Sequence, residues 1–212
     1  MLRLYSHPLS SYCWKVLIAL YESGVSFEPV MVDLGDPAAR AEYLKLSPFG
    51  KIPTLRDGDR EILETTIIIE YLAMTVPSAA RLIPMAPEAA LKVRALDRFF
   101  DLYLNSSVGK VANDALRPAG KKDPIGLEAA KNDLRTALAI LEKDMAQRLW
   151  AAGESFTMAD CAAAPALYYA NIVIPLAQSY PNTKRYLERL IQRPSVARAI
   201  AEATPYFHMV PL

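Results

Sequence analysis

From residue 1 to about 78, short apolar runs of strand type alternate with helix-like stretches, and beyond Pro77, Pro84 and Pro87 no strand-like run returns. A chain with that break divides into an α/β layer unit followed by an all-helical unit. In the first part LRLY (2–5) reads as a strand, 11–23 as a helix closed by Gly24, and SFEPVMV (26–32) as a second strand with Pro29 marking an edge or a bulge. A helix over 38–46 follows. PFGKIPTL and EIL then flank the turn residues Asp57-Gly58-Asp59 as a hairpin, and 65–76 carries apolar Ile68, Leu72 and Val76 at helical spacing. The order is βαβα then ββα. Helical periods then run over about 88–111, 125–150, 158–173, 181–193 and 195–203, with RPAGKKDP (117–124) as a polar loop. The expected domains are 1–78, a linker at 79–87, and a helical domain at 88–212.

Composition narrows the class of function. With 212 residues, 52% hydrophobic and 22% charged, the chain is an ordered globule able to bury two small cores. Twenty-four Lys and Arg against 23 Asp and Glu leave +1, so no global field draws it to nucleic acid or an anionic bilayer, although a local basic pocket stays open. The run Thr66–Ile69 is broken by Glu70 and falls far short of the ~20 residues of a membrane span. Only Cys13 and Cys161 occur, far apart, which argues for a reducing compartment and an expected cytoplasmic address. No basic segment with an apolar signal core opens the chain, so the mature protein is expected to be the whole of it. No metal-ligand spacing stands out.

Three local signals carry chemistry. In KIPTL (51–55) a proline precedes a short strand, where a cis peptide is tolerated; a cis Ile52-Pro53 bond would leave the Ile52 main chain free to pair with an extended peptide, whereas taken alone an ordinary strand-start proline is the plainer reading. In ETT (64–66) a threonine at a helix start either caps that helix or helps its N–H groups hold a carboxylate. In SHPLSSYCWKV (6–16), Ser10 and Ser11 stand at a strand-to-helix turn, as caps or as hydroxyl donors to a thiolate brought by a ligand. Ser10 has no His or Lys in motif spacing to make it a nucleophile.

The order LYSHPLSSYCWKV, SPFGKIPTL, ETTIIIEYL and then a helical domain resembles the cytosolic glutathione transferase family over essentially the whole chain. SFTMADCAAAP (155–165) is similar to the family's capping box, with Thr157 as N-cap and Asp160 three positions on. The resemblance implies a thioredoxin-like N-terminal domain that holds glutathione and a helical C-terminal domain that supplies most of the electrophile pocket. It implies glutathione lying along Ile52 and a cis Pro53, its γ-glutamyl end held by Glu64 and Thr65, and its glycine carboxylate near Lys51, for which a solvated surface lysine is the competing reading.

Laid on serine-type classes of that family, Ser10 falls on the catalytic serine; laid on cysteine-type classes, it falls on the catalytic cysteine. The sulfur must then come from glutathione, whose thiolate Ser10, with Ser11 as understudy, would stabilise. The nearest motifs are those of the zeta and theta classes, and SSYCW departs from the zeta pattern SSCSW at Tyr12 and Cys13, which weighs against a maleylacetoacetate isomerase. Tyr5 competes as a tyrosine-type residue and reads better as core or pocket wall; Cys13 and Cys161 read as buried small hydrophobes. The electrophile pocket is expected around His7, Leu9, Tyr103 and Phe207, between the turn, the helix bearing Phe99, Phe100 and Leu104, and the tail PYFHMVPL. A homodimer is implied, with Asp97 or Asp101 near the partner's γ-glutamyl amine, or else in an intrahelical ion pair with Arg94 or Arg98. The implied activity is transfer to a small electrophile; a non-catalytic binding protein of the same fold and a glutaredoxin-type reductase are the rivals, the last weakened by the missing first cysteine.

Overall fold

In a computed structural model, residues 1–211 are described; Leu212, the last residue of the expected tail, lies outside them. The strands are β1 (Leu2–Ser6), β2 (Phe27–Met31), β3 (Thr54–Asp57) and β4 (Arg60–Ile62). They form one sheet in the order β2-β1-β3-β4. β1 runs parallel to β2, with Leu4 opposite Pro29, and antiparallel to β3, with Leu4 opposite Leu55. Pro29 thus sits on the edge strand, where its missing N–H costs no central ladder bond.

Helices α1 (Ser11–Ser23), α2 (Pro37–Leu46) and α3 (Thr65–Thr75) complete the first unit. α1 starts and stops for local reasons: Ser10 caps its N-terminus and Gly24 ends it in the left-handed conformation, φ 63°. Its residues Cys13 to Leu20 are all buried. Val16, Leu17 and Leu20 join Leu4, Leu55, Ile68 and Leu72 in a core against the sheet. Trp14, Ile18 and Ala19 face the other way, into the large core of the helical unit with Phe100, Leu138 and Leu167. α1 is therefore shared by both cores, which packs the two units against each other.

A 3₁₀ turn (Pro77–Leu82) leads to α4 (Pro87–Phe99), a π-helical segment (Phe100–Asn105) and α5 (Ser106–Leu116). Then come α6 (Pro124–Asp144), α7 (Met158–Val173), α8 (Leu176–Ser179), α9 (Pro181–Ile191), α10 (Pro194–Ala203) and a 3₁₀ turn (Thr204–Met209). Two expectations need correction. The helix expected over 88–111 runs on to Leu116 and contains the π segment, whose wider turn a 3.6-residue period does not signal. The helix expected over 125–150 stops at Asp144, because Trp150 and Gly153 exchange two main-chain hydrogen bonds (2.7 and 3.1 Å) and Trp150 packs edge-on against Phe156 at 5.3 Å.

That turn is held by Asp160, buried in the first turn of α7. One carboxylate oxygen accepts from the Ala151 N–H (2.8 Å) and the Tyr186 hydroxyl (2.6 Å), and the other from the Thr157 N–H (2.8 Å) and hydroxyl (3.1 Å). Burial raises the Asp160 pKa despite these donors. Replacing Asp160 by Ala leaves all four donors without their acceptor and is expected to lower stability by about 3–5 kcal/mol in urea unfolding; a loss under 1 kcal/mol would show that water replaces the carboxylate.

Candidate functional site

The turn before α1 is tied down on every side. The Ser10 N–H donates to the His7 carbonyl (3.0 Å) and the Leu9 N–H to His7 Nδ1 (3.2 Å). The Trp14 indole N–H donates to the Pro8 carbonyl, and the Tyr169 hydroxyl of α7 to the Leu9 carbonyl at 2.8 Å. Ser10 is thus placed by both units. Its Oγ accepts from the Cys13 N–H at 3.3 Å, and its hydroxyl lies within reach both of the Cys13 thiol and of the positive end of α1 at the N–H groups of Ser11 and Tyr12.

A second wall comes from the bend into β3. The Lys51 carbonyl accepts from the Tyr43 hydroxyl (2.7 Å) and Ser47 Oγ (3.1 Å), and Thr54 Oγ1 lies 2.7 Å from the same Tyr43 oxygen. The Ile52-Pro53 bond is cis, and Ile52 stands just outside the sheet ladder. The third wall is the start of α3, where Glu64 has φ 67° and ψ 118°. It is the one non-glycine residue with positive φ among the described residues, a conformation that costs about 1–3 kcal/mol and gathers at ligand-holding sites.

The fourth wall belongs to the helical unit. Lys15, 1% exposed, points from α1 into a pair of carboxylates, with Nζ 2.6 Å from Asp97 Oδ1 and 2.7 Å from Asp101 Oδ2. Thr66 Oγ1 accepts from Lys15 Nζ (3.1 Å) and Arg98 Nη2 (2.6 Å) and donates to Asp97 Oδ2 (2.6 Å). Arg98 also pairs with Asp101. Burial raises the Asp101 pKa, and Lys15 opposes it.

These walls enclose a cleft of about 250 Å³ lined by Tyr12, Lys51, Ile52, Pro53, Glu64, Thr65, Arg98, Asp101 and Leu102. Beyond the first turn of α1 lies a second cavity of about 120 Å³, to which that turn contributes Ser11 and its approach Leu9, with Asn105, Val108, Gly109 and Tyr169 opposite. Tyr12 leans between the two, its hydroxyl 3.4 Å from the Asp101 carbonyl and facing the Asn105 side chain. A larger cleft, about 640 Å³, opens between β2, the back of α1 and α10 and holds none of the cleft residues just named.

A sequence profile of the glutathione S-transferase N-terminal domain matches residues 4–80, and one of the C-terminal domain matches residues 86–194. The chain belongs to the glutathione S-transferase family. It is 31% identical over 207 residues to glutathione S-transferase 3 of Zea mays, covering 94% of this chain and 93% of the relative. It is 32% identical to a probable maleylacetoacetate isomerase of Caenorhabditis elegans, covering 95% and 94%. A glutathione S-transferase from Methylobacillus flagellatus, solved with glutathione bound, superposes with a TM-score of 0.87 at 28% identity over 94% of this chain and 98% of that one. The thioredoxin-like unit followed by a helical unit is the fold of this family.

Within that fold, Lys51, Ile52, Pro53, Glu64 and Thr65 come together in one cleft, and Ser10 stands at the head of the helix that separates it from the smaller cavity. Of the four residues expected around the electrophile, Leu9 lines that cavity. His7 instead sits edge-on to Tyr206 at 5.8 Å, and burial lowers its pKa against the pull of Asp33. Phe207 stacks on Tyr168 at 5.8 Å as part of the core packing. Tyr103 lies 58% exposed beside Phe99, because the wide π turn brings Asp101 and Asn105 inward in its place. Asp97 is wholly buried and only Asp101 reaches the cleft; Arg98 pairs with both, while Arg94 pairs with Glu70.

Sequence reasoning missed Lys15, Asn105 and Gly109. The signal for Lys15 was present: one cation inside CWKVLIAL, a stretch too apolar to leave it in water, calls for a buried carboxylate. Lys15→Met leaves Asp97 and Asp101 facing each other with Arg98 alone, and is expected to cost about 3–5 kcal/mol of stability near neutral pH. Without Lys15 the Asp101 pKa, already raised by burial, rises further above its unfolded value, so the deficit should be small near pH 4 and grow as pH rises. Urea unfolding at several pH values checks it; a pH-independent deficit would mean lost packing alone.

Proposed function

We propose that the protein is a glutathione transferase whose cleft binds glutathione extended along Ile52 and Pro53, with residues 1–78 holding glutathione and residues 88–212 supplying most of the electrophile pocket. The observation that carries this reading is the convergence of the Lys51–Pro53 bend, the Glu64-Thr65 helix start and Tyr12 of the first turn of α1 on one cleft, with Ser10 capping that turn outside the lining. The γ-glutamyl carboxylate takes the Thr65 hydroxyl and the N–H groups at the start of α3, the ammonium faces Glu64 and Asp101, and Lys51 meets the glycine carboxylate. The family profiles and the glutathione bound in the relative from Methylobacillus flagellatus support the same ligand.

In this reading the thiol reaches the head of α1, where the Ser10 hydroxyl donates to sulfur and the helix dipole favours negative charge. The thiolate's lone pair then attacks an electrophile seated in the 120 Å³ cavity, expelling a leaving group or adding to a double bond. Isomerisation of the maleylacetoacetate type is the second reading, favoured by the relative from Caenorhabditis elegans. A homodimer in the cytoplasm completes the proposal. Among the described residues no helix is long and apolar enough to cross a membrane, and no three His, Cys, Asp or Glu side chains are grouped to hold a metal ion.

A direct test is an ultraviolet titration of the glutathione thiolate with the protein present. The bound thiol should ionise well below its free pKa, and Ser10→Ala should raise that value by about 1–2 pH units, the worth of one hydrogen bond to a charged group. If the variant titrates like the wild type, Ser11 or the main chain carries the thiolate.

The protein's own thiols separate this chemistry from disulfide exchange. Burial pushes the Cys13 thiol up to about 12, partly opposed by a hydrogen bond from Ser10, and Cys161 well above its usual range. Neither should react with an aromatic disulfide reagent at pH 8 in the native protein, and both should react in 6 M guanidinium, a denaturing concentration chosen as about the hyperstable limit. A mixed disulfide of Cys13 with glutathione in the native state would favour a reductase instead.

A further inference from the structure

We infer that the electrophile this protein accepts is uncharged and about one aromatic ring in bulk, and that Gly109 sets the size limit; this rests on the transferase reading. The cavity beside the head of α1 presents apolar surface from Leu9, Val108, Tyr169 and Val210, and its polar edge is the Ser11 hydroxyl and the Asn105 carboxamide. Among the described residues, none that lines it carries a charge. The cations of the neighbouring elements are committed elsewhere: Lys15 and Arg98 to Asp97 and Asp101 on the glutathione side, and Lys110 of α5 to Asp133 at 3.7 Å. The positive end of α1 is the one attraction for an anion there, and the thiolate occupies it. A carboxylate in the cavity would be a second buried anion beside the first, without a counter-charge.

Volume gives the second half. An apolar cavity of roughly 150 Å³ accommodates one benzene molecule, and this one is about 120 Å³ and open on one side. Gly109 lies inside α5, where glycine is a poorer helix former than alanine. Its φ is not positive, and a Cβ built there would meet nothing within 4 Å. Neither the backbone nor a neighbour demands glycine at this position; a Cβ there enters open space at a residue that lines the cavity, and on this inference a larger side chain narrows the electrophile's place.

The test compares iodoacetamide with iodoacetate, a pair alike in size and differing in charge, and benzyl chloride with methyl iodide, a pair differing in bulk. In each the thiolate's lone pair forms the new C–S bond while the carbon–halogen bond breaks and halide leaves with the bonding pair, the thiol proton having gone to solvent. The two cysteines are buried, so the alkylating agents report on glutathione. Expressed relative to the uncatalysed rate with glutathione, kcat/KM for iodoacetamide should exceed that for iodoacetate at least tenfold. Gly109→Val should lower benzyl chloride turnover at least tenfold, leave methyl iodide within about twofold, and leave the glutathione Kd measured by calorimetry unchanged. Gly109→Ala should fall between and melt no lower than the wild type, which separates a filled cavity from a damaged fold. Equal acceleration of the charged and uncharged iodides, acceleration of neither, or benzyl chloride turnover that ignores Gly109→Val, each with glutathione bound, overturns the inference alone. Failure of the wild type to bind glutathione overturns the transferase reading and this inference with it.

Discussion

The buried ammonium of Lys15 is the point on which the arrangement turns. It joins four elements at once: α1, which carries it; α4 and the π segment, which bring Asp97 and Asp101; and α3, which brings Thr66. An ammonium removed from water is expensive, and the two carboxylates that receive it are expensive too. With Arg98 the cluster holds two positive and two negative groups, so the set is electrically balanced although no single pair is. Such a cluster is weak evidence for stability compared with an apolar replacement. What it supplies is geometry: α1 and α3 can each sit in one way only if Lys15 and Thr66 are both to find their partners. The head of α1 carries Ser10 and the start of α3 carries Thr65, so the distance across the cleft follows from a cluster that reaches its wall at Arg98 and Asp101.

The other walls repeat the arrangement. Lys51 and Ile52 are held by the carbonyl contacts of Tyr43 and Ser47, the 7–10 turn by Trp14 and Tyr169, and the Glu64 main chain by the helix it opens. In the first two cases a main-chain carbonyl on the cleft wall is anchored by side chains, and in the third by the main-chain ladder of α3. A site held in this way loses little further conformational freedom when a peptide-like ligand arrives, which is where binding energy is most easily dissipated. The positive φ of Glu64 fits the same account, since such a backbone persists only where its surroundings over-determine it.

What could be read from the sequence divides along the same line. α1 and α7 begin and end where local signals put them, at Ser10 and Gly24 and at Thr157 with Asp160, because caps act within a few residues of the chain. The local structure of the cleft was legible for that reason: a proline before a strand, a threonine at a helix start and a serine cap are all short-range features. The π segment, the early end of α6 and the short α8 were not, because their causes are tertiary: the Trp150–Gly153 turn, for one, closes around a carboxylate from α7. Lys15 meets Asp101 across 86 residues of sequence, so the apolar stretch around Lys15 called for a carboxylate without saying which one. Tyr103 was a natural choice on a 3.6-residue period and faces outward because that period fails at the π turn.

The two halves of the site also differ in what defines them, and this bears on how far family membership reaches. The glutathione cleft is defined largely by backbone: a cis bond, a helix start and a cap, each tolerant of the side chains around it. The smaller cavity, where the proposed function seats the electrophile, is defined by side chains and by one missing side chain, with Leu9, Asn105, Gly109 and Val210 drawn from three distant parts of the chain. A few substitutions at such positions redraw its size and polarity without disturbing the fold, whereas the cleft opposite survives wide divergence. Relatives of nearly equal similarity can then carry the names of a transferase and of an isomerase, and overall identity does not decide between them. On the inference of an uncharged electrophile, charge decides instead: an isomerase acting on a carboxylate substrate needs a cation within reach of the second cavity, and the cations of α1 and α4 pair with Asp97 and Asp101 at the first.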